Sequence, residues 1–148
     1  MMSKTCSFLR RRSTPNMKGI TITKGVSNSP SDDRGDVFEL FRNLPGKQVT
    51  LYTRKQGSTF ANHFHTGIDP SKDPELFFLI SGQIRLYAKN RKGEDLRQDI
   101  DPMSYVIIEK DVYHEMEALT DVIFIEYRAT LFDPAKADSY SEADYSAV

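Results

Sequence analysis

Three histidines and one glutamate, set among segments that read as strands, are the residues of this 148-residue chain best placed to do chemistry. His63 and His65 stand two apart in TFANHFH (59–65). On an extended strand that spacing sends both imidazoles off one face, about 6.6 Å apart along the chain. Rings so placed can converge on one ion at a metal–nitrogen distance of about 2.1 Å, or serve as hydrogen-bonded residues of a core. Glu75 opens the next apolar segment, ELFFLI (75–80), and the third histidine, His114, lies in VYHEMEA (112–118). There Tyr113, Glu115 and Glu117 share one face, which the two glutamates mark as wet. His114, Met116 and Ala118 share the other, so His114 is expected to point inward.

The elements that must position these residues are short strands. ITIT (20–23), VFELF (37–41), QVTLYTRK (48–55), TFANHFH, ELFFLI, QIRLYAK (83–89), DLRQDI (95–100), SYVIIEK (104–110), VYHEMEA and DVIFIEYRA (121–129) are separated by turns rich in Gly, Pro, Asn and Asp. No stretch sustains a 3.6-residue apolar period, so the pattern predicts an all-β sandwich or barrel. The acidic end after residue 135 predicts at most one short helix. Charge balance (20 Lys+Arg against 21 Asp+Glu) argues against a nucleic-acid module. No apolar run approaches the roughly 18 residues of a membrane span, so none is expected. The single Cys6 excludes an internal disulfide. Residues 1–31 hold six bases and no acid, leaving 14 bases against 21 acids in residues 32–148. The expected organisation is a flexible basic tail over 1–19, one domain over 20–140 and a C-terminal tail over 141–148, in a cytoplasmic protein. Residues 1–16, Arg- and Ser-rich, show no strand pattern and are expected to be dispensable for folding.

The joint spacing Gly57-x5-His63-x-His65-x9-Glu75-x6-Gly82, followed by an inward His114, resembles the first motif of the cupin superfamily and, more loosely, its second. In the second, Glu109 and Asp111 replace the usual proline and glycine. The resemblance implies a double-stranded β-helix, the cupin jelly-roll barrel. It also implies one divalent transition-metal ion held by His63, His65, Glu75 and His114, a ligand set that suits Fe, Mn, Zn, Ni or Co. Three further segments narrow the resemblance. Asp32-Asp33-Arg34-Gly35-Asp36-Val37-Phe38-Glu39 is similar to a signature of dTDP-4-keto-sugar epimerases. The segment from Gly57 through Asn62-His63-Phe64-His65 and the exit from Leu131-Phe132-Asp133-Pro134 through Tyr140 resemble the C-terminal cupin of bifunctional capsular polysaccharide enzymes. The relatives usually carry Arg-Gly before the histidine segment, where this chain has Phe60-Ala61.

That resemblance implies an epimerase or isomerase of a nucleotide-linked keto-sugar, in polysaccharide biosynthesis. Such an enzyme removes the α-proton of a ketone and returns it to the carbon, while the enolate charge is stabilised. With the histidines on metal, the expected acid–base residues are Glu75, Tyr105 and Tyr127, and Arg34, Arg54 and Arg85 are the expected diphosphate ligands. Without metal the histidines take acid–base roles, as in the metal-free dTDP-sugar epimerases that the chain also resembles. A metal-dependent dioxygenase and a non-catalytic sugar- or effector-binding cupin are the competing classes. A homodimer is expected through an edge strand near 20–24 or 37–41.

Overall fold

The computed structural model describes residues 17–27 and 31–146; the expected tail over residues 1–16 lies outside them. Among the described residues nine strands form: β1 (Ile20–Lys24), β2 (Gln48–Arg54), β3 (Thr59–His63), β4 (Glu75–Ser81), β5 (Ile84–Lys89), β6 (Asp95–Ile100), β7 (Ser104–Ile108), β8 (Tyr113–Ala118) and β9 (Val122–Arg128). A 3₁₀ turn spans Pro70–Lys72, and one short helix, α1 (Glu142–Ser146), follows the strands. The strands make two antiparallel sheets, ordered β1-β7-β4-β9-β2 and β3-β8-β5-β6. Consecutive strands often fall in different sheets, as a jelly roll requires. Among the described residues, no helix is long and apolar enough to cross a membrane.

Period-two patterning explains the layers. Burial alternates strictly along β5, β7 and most of β9, so each strand turns one row of side chains into the space between the sheets. Leu86, Ile108, Val122 and Ala118, all at 1% exposure or less, form the centre of that core. Met17, just ahead of β1, is buried in the same cluster. Strand segments read from the sequence recur within a few residues of the observed strands, with one exception.

The segment 37–41 is not a strand. Its backbone reverses at Phe41, where φ is 54°, and the Phe41 ring stacks on Tyr127 at 4.7 Å and meets Tyr105 edge-on at 5.4 Å. Phe41 thus acts as a cover on the outer face of the five-stranded sheet, while Val37 stays 54% exposed. At the other terminus, α1 packs onto the four-stranded sheet. Tyr145 is buried against Phe64 and Tyr113, and its hydroxyl donates to the carbonyls of Lys89 and Asp111 at 3.1 and 3.0 Å. Tyr113 therefore sits on the outer face, as its parity requires, yet is buried and not wet.

The turn between β4 and β5 demands glycine at Gly82. Its φ is +84°, and a Cβ there would fall 2.2 Å from the Asp121 carbonyl oxygen. Gly93 has a similar φ of +80° but open space around it. Gly82→Ala is expected to lower Tm clearly more than Gly93→Ala, which carries only the left-handed backbone cost of about 1–2 kcal/mol. Thermal denaturation of the two variants checks this.

Candidate active site

The histidines gather through a bulge. Phe60 pairs with Met116 and His63 with His114, so β3 spends three residues where β8 spends two. Ala61 and Asn62 absorb the extra residue in left-handed backbone, at φ 72° and 53°. Without that bulge Phe60 and His63 would face opposite ways. With it, the Phe60 ring packs on Phe124 at 5.5 Å and the His63 ring enters the same interior space. β3 ends at His63, and His65 follows beyond the strand. The His63 ring centroid lies 4.4 Å from that of His65 and 4.8 Å from that of His114.

Glu75, the first residue of β4, arrives from the opposite sheet. Its Oε2 lies 3.1 Å from His65 Nε2 and 3.0 Å from His114 Nε2, with all three side chains at 2% exposure or less. The other ring nitrogens face backbone carbonyls: His65 Nδ1 that of Asp138, and His114 Nδ1 that of Val112 at 3.0 Å. A carbonyl only accepts, so each Nδ1 carries hydrogen. Each Nε2 then attracts the carboxylate only when a proton lies between ring and oxygen. Glu75 Oε2 and the two Nε2 atoms are buried with no aligned hydrogen-bond partner. Burial pushes the Glu75 carboxyl up, but His114 and His65 outweigh it and hold the group well below the usual carboxylate range.

His63 differs from its neighbours. Burial, followed by the proximity of His114 and His65, pushes its imidazole down to about 3, so it is a neutral ring at neutral pH. It lines a cavity of about 150 Å³ together with Tyr52, Arg54, Phe60, Lys72 and Glu126. That volume is well under the roughly 300 Å³ of the smaller drug-sized sites, so it takes the reacting end of a ligand rather than a whole nucleotide.

Two charged residues of this cavity escaped the sequence reading. Lys72 comes from the 3₁₀ turn, where the loop TGIDPSKDP reads as solvated, yet it is buried and its Nζ donates to Glu75 Oε1 at 3.2 Å. Glu126 shares the inward parity of Val122 and Phe124 on β9, a signal that was readable. It lies 3.7 Å from Lys72 Nζ and in contact with Arg128, whose guanidinium also donates to Ser71 Oγ at 3.0 Å. Asp138 was likewise missed. Its carboxylate accepts from Thr66, Gly67 and Asp69 at 2.7–3.1 Å and so closes the loop after His65.

Of the residues expected at the site, His63, His65, Glu75 and His114 come together, their ligand atoms within 4.8 Å of one another. Arg54 joins them at the cavity, its guanidinium 5.2 Å from the Tyr52 ring and 5.5 Å from that of Phe60. Tyr105 and Tyr127 do not. Both occupy outward positions of β7 and β9 and pack on Phe41, because inward positions of those strands belong to Val106, Ile108, Phe124 and Glu126. Arg85 is also outward, paired with Asp99 at 2.7 Å, and Arg34 is exposed, paired with Asp32 at 2.6 Å.

Acid should loosen this site in a defined window. Because the folded His63 binds its proton only near pH 3 while the unfolded ring binds it near 6.5, the unfolded state holds more protons in between. Stability contributed by the neutral ring is therefore present above about pH 6.5 and lost as pH falls toward 3. The depressed Glu75 carboxyl adds a loss at lower pH still. Tm is expected to fall from pH 7 to pH 4.5, and to fall less in His63→Asn, in melts followed by circular dichroism.

No protein-family profile matches the chain, and no curated protein matches it. Solved structures do. The dTDP-4-dehydrorhamnose 3,5-epimerase of Sulfolobus tokodaii aligns with a TM-score of 0.69 at 20% identity, over 91% of this chain and 84% of its own. A sugar 3,4-ketoisomerase of Thermoanaerobacterium thermosaccharolyticum, solved with TDP, aligns at 0.67 and 15%, over 87% and 92%. The TDP-quinovose 3,4-ketoisomerase of Campylobacter jejuni aligns at 0.69 and 16%, over 86% and 96%. These stand on the metal-free, epimerase side of the sequence resemblance, which overturns the expectation of a divalent metal cofactor on His63, His65, Glu75 and His114. The site agrees with that correction. Lys72 Nζ lies 3.2 Å from Glu75 Oε1 and so puts a positive charge beside the place a dication would take. With nine strands in two antiparallel sheets and these structural neighbours, the chain has the cupin-type jelly-roll fold of the sugar-nucleotide epimerases and ketoisomerases.

Proposed function

We propose that the chain moves a proton at the carbon beside the ketone of a nucleotide-linked keto-sugar, an epimerase or ketoisomerase reaction. The observation that carries this reading is His63: a neutral imidazole facing a small cavity that also holds a buried ammonium, Lys72. An unprotonated ring is the form a general base needs. The anionic diphosphate of a bound substrate raises its proton affinity, since negative charge favours the imidazolium.

The roles divide by chemistry. His63 takes the α-proton. Lys72 stabilises the negative charge that develops on the ketone oxygen, in a place from which water is largely excluded. Arg54 grips the diphosphate, leaving Arg34 and Arg85, each already paired with an aspartate, outside the site. The rings of Tyr52 and Phe60 offer apolar faces to the sugar. Glu75 serves indirectly, by holding His65, His114 and Lys72 in place around His63. The structural neighbours described as epimerases and ketoisomerases of TDP-linked sugars support this reading as analogy of fold. We also propose a homodimer. β1 lies at one edge of the five-stranded sheet, and at the other edge β2 exposes Val49 (59%) and Leu51 (63%).

Incubation of the protein with dTDP- or UDP-4-keto-6-deoxyglucose in D₂O is expected to place deuterium on a ring carbon next to the ketone, read by NMR or mass spectrometry. His63→Asn should slow this by about 100-fold or more, and EDTA should leave it unchanged. Absence of exchange across a panel of nucleotide keto-sugars would refute the proposal. Light scattering is expected to give twice the 16.9 kDa chain mass; a monomer at micromolar concentration contradicts the dimer.

A further inference from the structure

The cavity has two walls, and each carries one acid–base side chain. His63 enters from β3, in the four-stranded sheet. Glu126 enters from β9, in the five-stranded sheet that packs against it. Glu126 is 3% exposed, and its Oε1 has no aligned hydrogen-bond partner although Lys72 and Arg128 lie beside it. Glu75, the other buried carboxylate of the cavity, is already committed to His65, His114 and Lys72. A flat enolate bound between the sheets would present one face to His63 and the other to Glu126.

We infer that Glu126 is the second acid–base residue of the site, delivering a proton to the face of the substrate carbon opposite the one His63 deprotonates. The inference rests on the keto-sugar reading above and makes the reaction an inversion, an epimerisation. The step balances without any oxidant. The His63 ring nitrogen takes the α-proton, and the C–H electron pair becomes the carbon–carbon double bond of the enolate as the ketone oxygen gains charge. Protonated Glu126 then gives up its hydrogen, and the enolate pair forms the new C–H bond on the other face. His63 is left protonated and Glu126 ionised, and exchange with solvent restores both. Burial, together with the charge of Glu75, pushes the Glu126 carboxyl up against the opposing pull of Lys72 and Arg128, which favours the protonated form that a donor requires. Arg128, in contact with Glu126 and bonded to Ser71 in the 3₁₀ turn, keeps the donor and Lys72 in register.

The test separates abstraction from inversion. With the keto-sugar in D₂O, Glu126→Gln should keep deuterium exchange at the α-carbon within a few-fold of wild type. Formation of the epimer should fall by about 100-fold or more. His63→Asn should lose both, and Glu115→Gln, on the outer face of β8 and away from the cavity, should keep both. Because Glu126→Gln leaves Lys72 and Arg128 with one anion fewer, its Tm and its nucleotide-sugar affinity are measured alongside, and Glu126→Asp should regain part of the inversion. Wild-type rates of inversion in Glu126→Gln, or the same exchange-without-inversion pattern in Glu115→Gln, overturn the assignment while leaving the keto-sugar reading intact. Equal loss of exchange and inversion in a folded, substrate-binding Glu126→Gln protein also overturns it. A wild-type protein that exchanges no α-proton overturns both readings.

Discussion

A carboxylate buried beside two imidazoles and an ammonium is the constraint on which the rest of this structure depends. Glu75 is 2% exposed, and an unpaired charge so deep is strongly destabilising. Two imidazoles and one ammonium surround it, drawn from β8, from the residue after β3 and from the 3₁₀ turn. Lys72 in turn stands beside Glu126, and Glu126 beside Arg128. Removing one member of such a set leaves its partner buried and uncompensated, at a cost of about 3–5 kcal/mol. The two sheets are thereby pinned to each other at one end by charge, where the centre of the barrel is held by apolar packing.

His63 owes its character to that arrangement. It is the one histidine of the three that the carboxylate does not touch, and the rings of His65 and His114 beside it disfavour its protonation. A neutral ring beside a fixed ammonium is a pairing suited to removing a proton from a carbon acid, and it arises because the neighbouring residues use up the negative charge. The same geometry sets the His/Glu group, which reads as a metal site from sequence, beside a lysine. Its donors face each other and a lysine, and the lysine was invisible as a partner in the sequence because its loop looks solvated.

Loops finish what the strands begin. Asp138, far along the chain, accepts hydrogen bonds from Thr66, Gly67 and Asp69, and its backbone carbonyl sets the tautomer of His65. Burial pushes its carboxyl up, but the Thr66, Asp69 and Gly67 donors prevail and lower it. Asp69 then caps the 3₁₀ turn by accepting from Ser71 N at 2.9 Å. Lys72 is therefore aimed by a short relay that runs from the C-terminal exit segment, through the loop after His65, into the turn itself.

The sequence by itself determined the strands, the turns between them and the inward face of His114, because these follow from period-two patterning and local turn chemistry. It also held the parity that turns Glu126 and Arg128 inward on β9. The convergence of His63 with Phe60 was not determined there: strict alternation sets the two on opposite faces, and only pairing against β8 reveals the extra residue at Ala61 and Asn62. Tyr105 and Tyr127 carried the right functional groups on the wrong side of their sheet, and residues 37–41 had a strand's composition with no strand beside them to pair with. Which face meets which, and which charge finds which partner, is settled by contacts between residues tens of positions apart. Those contacts exist only once the two sheets close on each other.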